Sequence, residues 1–230
     1  MEKSIVIENI VIDIERKNIK NMYIRIYPPE GKVKMTVPKY IKEDAIRMFA
    51  TSRISWIKTQ REKIKNKPPQ WELKFVTGES HYLWGKIYIM EVLYTDNSNK
   101  VIIDRDILIL EVKKGSSKEQ REHIMTEWYR EQLKEAIPIA LELCTKIVGK
   151  SPNEWHVKNM RTRWGTCNPS KKRIWLNLQL AKKPPECLDY VIIHELVHLY
   201  VRKHDDKFKA YMDKFYPNWW MVKKRLNERL

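Results

Sequence analysis

The stretch His194-Glu195-Leu196-Val197-His198, with His204 six residues further on, constrains this chain more than any other. Histidines four apart stand one above the other on a helix, so both imidazoles can reach one metal ion. Glu195 projects from a neighbouring part of the helix surface, where it can approach a metal-bound water without ligating. The spacing is that of H-E-x-x-H, in which the Glu is a general base. His204 is far enough along for the chain to leave the helix and bring back a third nitrogen. Three protein ligands and one open position make a catalytic zinc site, whereas a structural zinc is closed by four. The expected cofactor is one Zn²⁺ per chain, held by His194, His198 and His204.

The surroundings support a helix. Residues 188–193 are mostly apolar, and Leu196, Val197 and Leu199 continue the run. Pro184-Pro185-Glu186 marks the start, since proline suits a first turn and an acid there favours the helix dipole. The plainer alternative is a buried helix whose histidines only pack. A buried helix has little reason to carry His, Glu and His on one surface unless something binds them. Asp205-Asp206 opens a further helix ended by Pro217, which places His204 at a helix entry.

Upstream, the first third reads as strands. Ile10, Ile12 and Ile14 alternate with Val11, Asp13 and Glu15; Tyr23, Arg25 and Tyr27 alternate with Ile24 and Ile26; residues 32–37 alternate again after a turn at 28–31. Residues 42–64 are expected as a helix ended by 66–69. Strands follow over 82–94, 101–103 and 107–112. Gly115-Ser116-Ser117 is the expected linker, giving a β-rich N-terminal domain with one helix (1–115) and a catalytic domain (116–230). A long helix starts near Lys118, and Pro138 is expected to kink or split it. Residues 156–167, a turn at 168–171 and the alternation Ile174, Leu176, Leu178, Leu180 form a β-hairpin before the motif helix. Its edge suits an extended peptide. Gly165 suggests a special backbone conformation there.

Charge sets the remaining expectations. Forty-five Lys and Arg against 29 Asp and Glu give +16, with nine basic residues and one acid in 150–183, and nine and three in 39–67. Such a field attracts polyanions such as nucleotide or nucleic acid, although no nucleic-acid motif accompanies it. Solvated surface lysine accounts for the same numbers. No apolar run approaches the ~18 residues of a membrane span. The N-terminus is not a signal peptide. Cys144, Cys167 and Cys187 are expected as reduced thiols, so a cytoplasmic protein is expected. Cys167 is also a candidate fourth ligand or redox switch. Trp164 and Trp175 are a candidate substrate platform, with core packing as the alternative. A second electrophile should stabilise an oxyanion, with Arg161, Arg163, Asn177 and Tyr200 as candidates.

Arg163-Trp164-Gly165-Thr166-Cys167, the strand through Asn177, and the His194–His198 motif with His204 together resemble the YgjP-like metal-dependent hydrolases, which are related to the WLM and SprT-type zinc metallopeptidases. Thr166 stands where the family more often has Ser. The resemblance implies an α+β chain whose C-terminal half is a zincin-like metallopeptidase domain, helices plus a small β-sheet bordering the cleft. It implies a zinc metallopeptidase in which Glu195 activates the water. Some members are described as UTP-type nucleotide pyrophosphatases, which stays open as a second reading. A DNA-associated SprT-like protease or nucleic-acid-binding module is the third.

Overall fold

The structure is a computed structural model that describes residues 4–27, 30–65 and 73–228. The chain divides into two compact units, Met1–Glu72 and Leu73–Leu230. The expected turn at 28–31 and helix end at 66–69 lie partly or wholly outside the described residues.

In the first unit, β1 (Ser4–Ile7), β2 (Ile10–Lys17), β3 (Tyr23–Tyr27) and β4 (Lys32–Pro38) form one sheet in the order β1-β2-β4-β3. Alternation sets its faces. Ile10 and Ile12, then Val33, Met35 and Val37, turn inward, while Val11 and Lys32 turn out. Two helices rather than one follow, α1 (Glu43–Ser52) and α2 (Ile54–Lys65). Arg53 leaves the helical conformation between them, and its N–H donates to Ala50 O and Thr51 O. The buried stripe across the break is Ile46, Ala50, Ile54 and Ile57; Trp56 lies off it and is exposed.

The second unit opens with β5 (Ser80–Leu83), β6 (Lys86–Tyr94), β7 (Lys100–Asp104) and β8 (Ile107–Val112), in the order β5-β6-β8-β7. This repeats the pairing of the first sheet, with two antiparallel hairpins joined by one parallel pair. The long helix α3 (Lys118–Val148) begins at a capping box in which Ser117 and Gln120 exchange side-chain and backbone hydrogen bonds. It ends at Gly149, whose φ of 73° is the left-handed closure that glycine permits. Pro138 does not split it. That residue sits on the exposed side, where water can satisfy the carbonyl it leaves free.

The boundary expected at 115/116 falls inside this unit, because β8 and α3 share one core. Leu108, Leu110 and Val112 of the sheet pack in the same cluster as Met125, Tyr129, Leu133 and Ile137. The β5–β6 turn is fastened as well: the N–H groups of Trp84 and Gly85 donate to Ala181 O and Lys182 O. A side chain on Gly85 would stand 2.8 Å from Pro184 Cγ. A sequence linker at Gly115 thus marks a helix start and not a domain boundary.

A three-stranded sheet follows, β9 (Glu154–Lys158), β10 (Gly165–Asn168) and β11 (Arg173–Asn177), in the order β10-β11-β9. The expected strand through Leu180 stops at Asn177. The side-chain oxygen of Asn177 accepts from Gln179 N, and Leu178–Lys182 turns into a 3₁₀ helix. Then come α4 (Pro185–Val197), α5 (Asp206–Phe215) and α6 (Trp219–Asn227). α4 is buried nearly all round, from Cys187 to Val197. Among the described residues no helix is long and apolar enough to cross a membrane.

His81 carries a stability signature. It is 2% exposed, and among the described residues its Nε2 has no hydrogen-bond partner, with Glu79 Oε2 3.7 Å away. Burial pushes its pKa down to about 4, although Glu79 pulls the other way. The unfolded imidazole takes up its proton near pH 6.5, so between pH 6.5 and 4 the unfolded chain binds more protons and stability falls as pH falls. Wild type should lose about 3 kcal/mol more than His81→Leu between pH 7 and pH 4, read from urea denaturation of the metal-free proteins. Parallel pH dependences would show that His81 does not titrate in this way.

Candidate metal centre and cleft

The last turn of α4 carries His194, and His198 caps its C-terminus. Asp205 caps α5 by accepting from Phe208 N, which holds His204 just before that helix. Ligand nitrogens of His194, His198 and His204 all lie within 4.8 Å of one another. Phe208, four residues after His204, packs against all three rings, with centroids 4.6–4.9 Å apart. No spacing rule points to it, yet its ring contacts all three imidazoles.

The chemistry of these nitrogens fits a metal. His198 Nδ1 lies 3.0 Å from Val201 O. A carbonyl only accepts, so Nδ1 carries the hydrogen and Nε2 keeps its lone pair. His194 Nε2 and His204 Nε2 are 2.9 Å apart. Burial drives the His194 pKa down to about 3, with His198, His204 and Lys223 acting in the same direction, and burial lowers that of His198. Neutral imidazoles with converging lone pairs are what zinc takes, at about 2.0–2.1 Å each.

Glu195 is 4% exposed, and its Oε2 has no hydrogen-bond partner among the described residues. Burial pushes its pKa up to about 8, opposed by the Arg163 charge. β10 lies directly over it. A Cβ built on Gly165 would stand 2.5 Å from Glu195 Oε1, 2.8 Å from its Cγ and 2.9 Å from Val191 Cγ1. Gly165 is not among the residues of positive φ. Close approach to the carboxylate, and not an unusual conformation, is why glycine stands here.

The open cleft before these groups is lined by Gly165–Asn168 of β10, by the three histidines and Glu195, and by Lys223, Leu226 and Asn227 of α6. Among the described residues β10 pairs only with β11, which leaves its other edge without a strand partner there. Of the four oxyanion candidates, Arg163 lines the cleft; Arg161, Asn177 and Tyr200 do not. Asn177 is buried, not outward-facing. It accepts from Met160 N and donates to Met160 O and Arg163 O, fixing the segment that leads into β10. Tyr200 donates to Val148 O, and Lys150 sits 3.8 Å above its ring, which ties the loop before His204 to the end of α3. Arg161 is an exposed residue.

Cys167 lines the cleft but stays outside the imidazole group. Burial pushes its thiol up to about 12, with Glu195 adding to the effect, which keeps it in the unreactive thiol form. Trp164 also lines the cleft and donates to Asn227 Oδ1. Trp175 stacks on His156 instead. Four of the nine basic residues in 150–183 are engaged within the fold. Lys150 donates to Leu199 O, Arg173 pairs with Glu154, Lys182 lies over Tyr129, and Lys183 donates to Glu228 O.

A family model described as YgjP-like, metallopeptidase domain, matches residues 20–229. Two solved structures are similar over part of the chain. The metallopeptidase zymogen of Pyrococcus abyssi abylysin has 20% identity and a TM-score of 0.36, covering 39% of this chain and 90% of that one. The metallopeptidase zymogen of Methanocaldococcus jannaschii jannalysin has 18% identity and a TM-score of 0.34, covering 39% and 92%. A search among curated protein sequences gives no match.

The contact between Gly165 and Glu195 is testable by a double-mutant cycle. Gly165→Ala should lose about 1–3 kcal/mol of stability through overpacking. In a Glu195→Ala background, where Oε1 and Cγ are gone, the loss should shrink by about 1 kcal/mol or more. Additive losses in thermal or urea denaturation would remove the contact.

Proposed function

The chain belongs to the YgjP-like family, and on that premise we propose that it is a zinc-dependent endopeptidase. The coarser statement, a metal-dependent peptidase, follows from the family. The finer one rests on a single observation: three imidazole nitrogens within 4.8 Å, next to a buried carboxylate that has a free oxygen and lies under an unpaired strand edge. The domain is proposed to be of the zincin-like class, with β9–β11 as the sheet bordering its cleft.

His194, His198 and His204 are the proposed ligands. Zinc, when bound, supplies Lewis acidity, lowering the pKa of a water from 15.7 toward about 7 and polarising a carbonyl. Glu195 Oε2 is proposed to take the proton of the attacking water and to hand it to the leaving amine as the C–N bond breaks. A dication beside it favours the ionised carboxylate, counteracting the effect of burial. Arg163 lines the same cleft and is the proposed stabiliser of the negative charge that develops on the carbonyl oxygen. The free edge of β10 offers backbone N–H and C=O groups to a peptide laid alongside it. That edge favours a polypeptide over a nucleotide.

The test is zinc content and turnover on the same preparations. Wild type purified without chelator should carry about one zinc per chain and cleave an unstructured protein. Glu195→Gln should keep the zinc and lose at least about a hundredfold in kcat, the usual scale of a general base. Cleavage of a nucleoside triphosphate instead of protein would move the assignment to a pyrophosphatase. Unchanged turnover in Glu195→Gln would remove Glu195 as the base.

A further inference from the structure

Two cations at the cleft have no part in that chemistry. Arg202 follows the motif helix and lines the cleft where the β10–β11 turn comes down; its Nη2 lies 3.4 Å from Ser170 Oγ. Lys223 lines the cleft from α6, with its ammonium 5.4 Å from the centre of the Trp219 ring. Both are exposed, and neither pairs with a carboxylate among the described residues. With Arg163 they make three cations in the lining. The only acid there is Glu195, buried behind Gly165.

This pattern differs from that of the neighbouring cations. Lys150, Arg173, Lys182 and Lys183 are each engaged by a carbonyl, a carboxylate or an aromatic ring of the same chain. Arg202 and Lys223 have only the long contact to Ser170 and the Trp219 ring, and both stand in the cleft lining without a carboxylate partner among the described residues. A groove lined by one sign of charge between low-dielectric walls concentrates its field and selects ligands of the opposite sign. A dication at the three imidazoles adds to the same sign.

The strand edge gives the field a register. A peptide beside β10 advances about 3.3 Å per residue. Gly165, over Glu195, marks the position of the reacting bond; β10 runs extended from there to Asn168, and Ser170, beside Arg202, stands in the turn that follows. An acidic side chain about three to five residues from the scissile bond therefore comes within reach of Arg202. Lys223 meets acids carried on the other wall of the groove.

We propose that Arg202 and Lys223 select acidic polypeptide segments, so that this cleft takes substrates rich in Asp and Glu around the scissile bond. The proposal rests on the peptidase reading and gives it a substrate class. It is also a different use of the basic composition from nucleic-acid binding, since the selecting charges are two residues in a groove and not a surface stripe.

Binding, measured apart from turnover, tests it. Zinc-loaded Glu195→Gln, full length, is titrated with three fluorescent peptides of one length by anisotropy: one with Asp and Glu in the flanks, one with Asn and Gln there, and one with Lys. Each exposed ion pair is worth on the order of two- to fivefold, so the acidic peptide should bind roughly tenfold tighter than the neutral one at low salt. The advantage should fade as salt is raised. Arg202→Glu with Lys223→Glu, on the same background, should abolish or invert the order. Equal binding of the three peptides, or an acidic preference that survives the double charge reversal, overturns the proposal. So does displacement of the acidic peptide by UTP at concentrations well below those at which unlabelled peptide displaces it, because the groove is then a nucleotide site. If the acidic preference holds and disappears on charge reversal while wild type cleaves none of the peptides, the selectivity stands and it is the peptidase reading that fails.

Discussion

A carboxyl group buried beneath a strand is the constraint on which the rest of this site depends. Burying a charge without a partner is expensive, and the usual outcome is a shifted pKa. Glu195 shows that outcome, with a pKa pushed up to about 8 and one oxygen unsatisfied. The strand above it approaches so closely that only glycine fits. α4 around it is packed on nearly every side. These features hold the carboxyl in one place and keep bulk water away from it. Nothing in the apolar core requires an acid at this position, and an unpaired carboxyl lowers stability there. The proposed acid–base role next to a metal would account for an acid placed there at that cost.

The imidazoles are fixed by a different device. Each is positioned by something other than its neighbours: His198 by the carbonyl of Val201, His204 by the cap that Asp205 forms on α5, and all three by the face of Phe208. Tyr200 and Lys150 then tie the connecting loop to the end of α3. Preorganisation of this kind means that little ordering entropy remains to be lost when a metal binds. The long helix α3 matters to the chemistry only through this anchor and the shared core.

What could be read from the sequence was local. H-E-x-x-H specifies its own geometry through helical spacing, and an Asp before a helix specifies a cap, so the clustering of the three imidazoles and the entry of His204 are legible from short range alone. The alternation of Ile10, Ile12 and Val33, Met35, Val37 gave the first sheet in the same way. Apart from the local break at Arg53 and the uninterrupted helix at Pro138, the differences are matters of contact between distant segments. Gly165 was noticed as a rare residue, but its reason, a carboxylate 30 positions away, has no local signal. The alternation of Ile174, Leu176, Leu178 and Leu180 reads as one strand through Asn177; the Asn177 amide instead bonds Met160 and Arg163 and the strand ends there. Lys223 on α6 carries no motif at all. The domain boundary failed for a similar reason, since Gly115-Ser116-Ser117 has the composition of a linker, whereas the core shared by β8 and α3 is invisible without pairing.

The charge of the chain shows the same distinction between composition and placement. A net charge of +16 invites a polyanion, yet many of the cations that produce it act inside the fold. Lys150 donates to the carbonyl of Leu199 just past the end of α4, where the helix dipole favours a positive charge. Lys183 does the same near the end of α6, at Glu228. Arg130 reaches the carbonyl of Val157 and steadies β9 against α3. A chain that ends its helices and loops with lysine and arginine accumulates positive charge without presenting a binding surface. The informative charges are those that line the groove, and it is their place beside three clustered imidazoles and the edge of β10, more than the net charge, that carries the proposed selectivity.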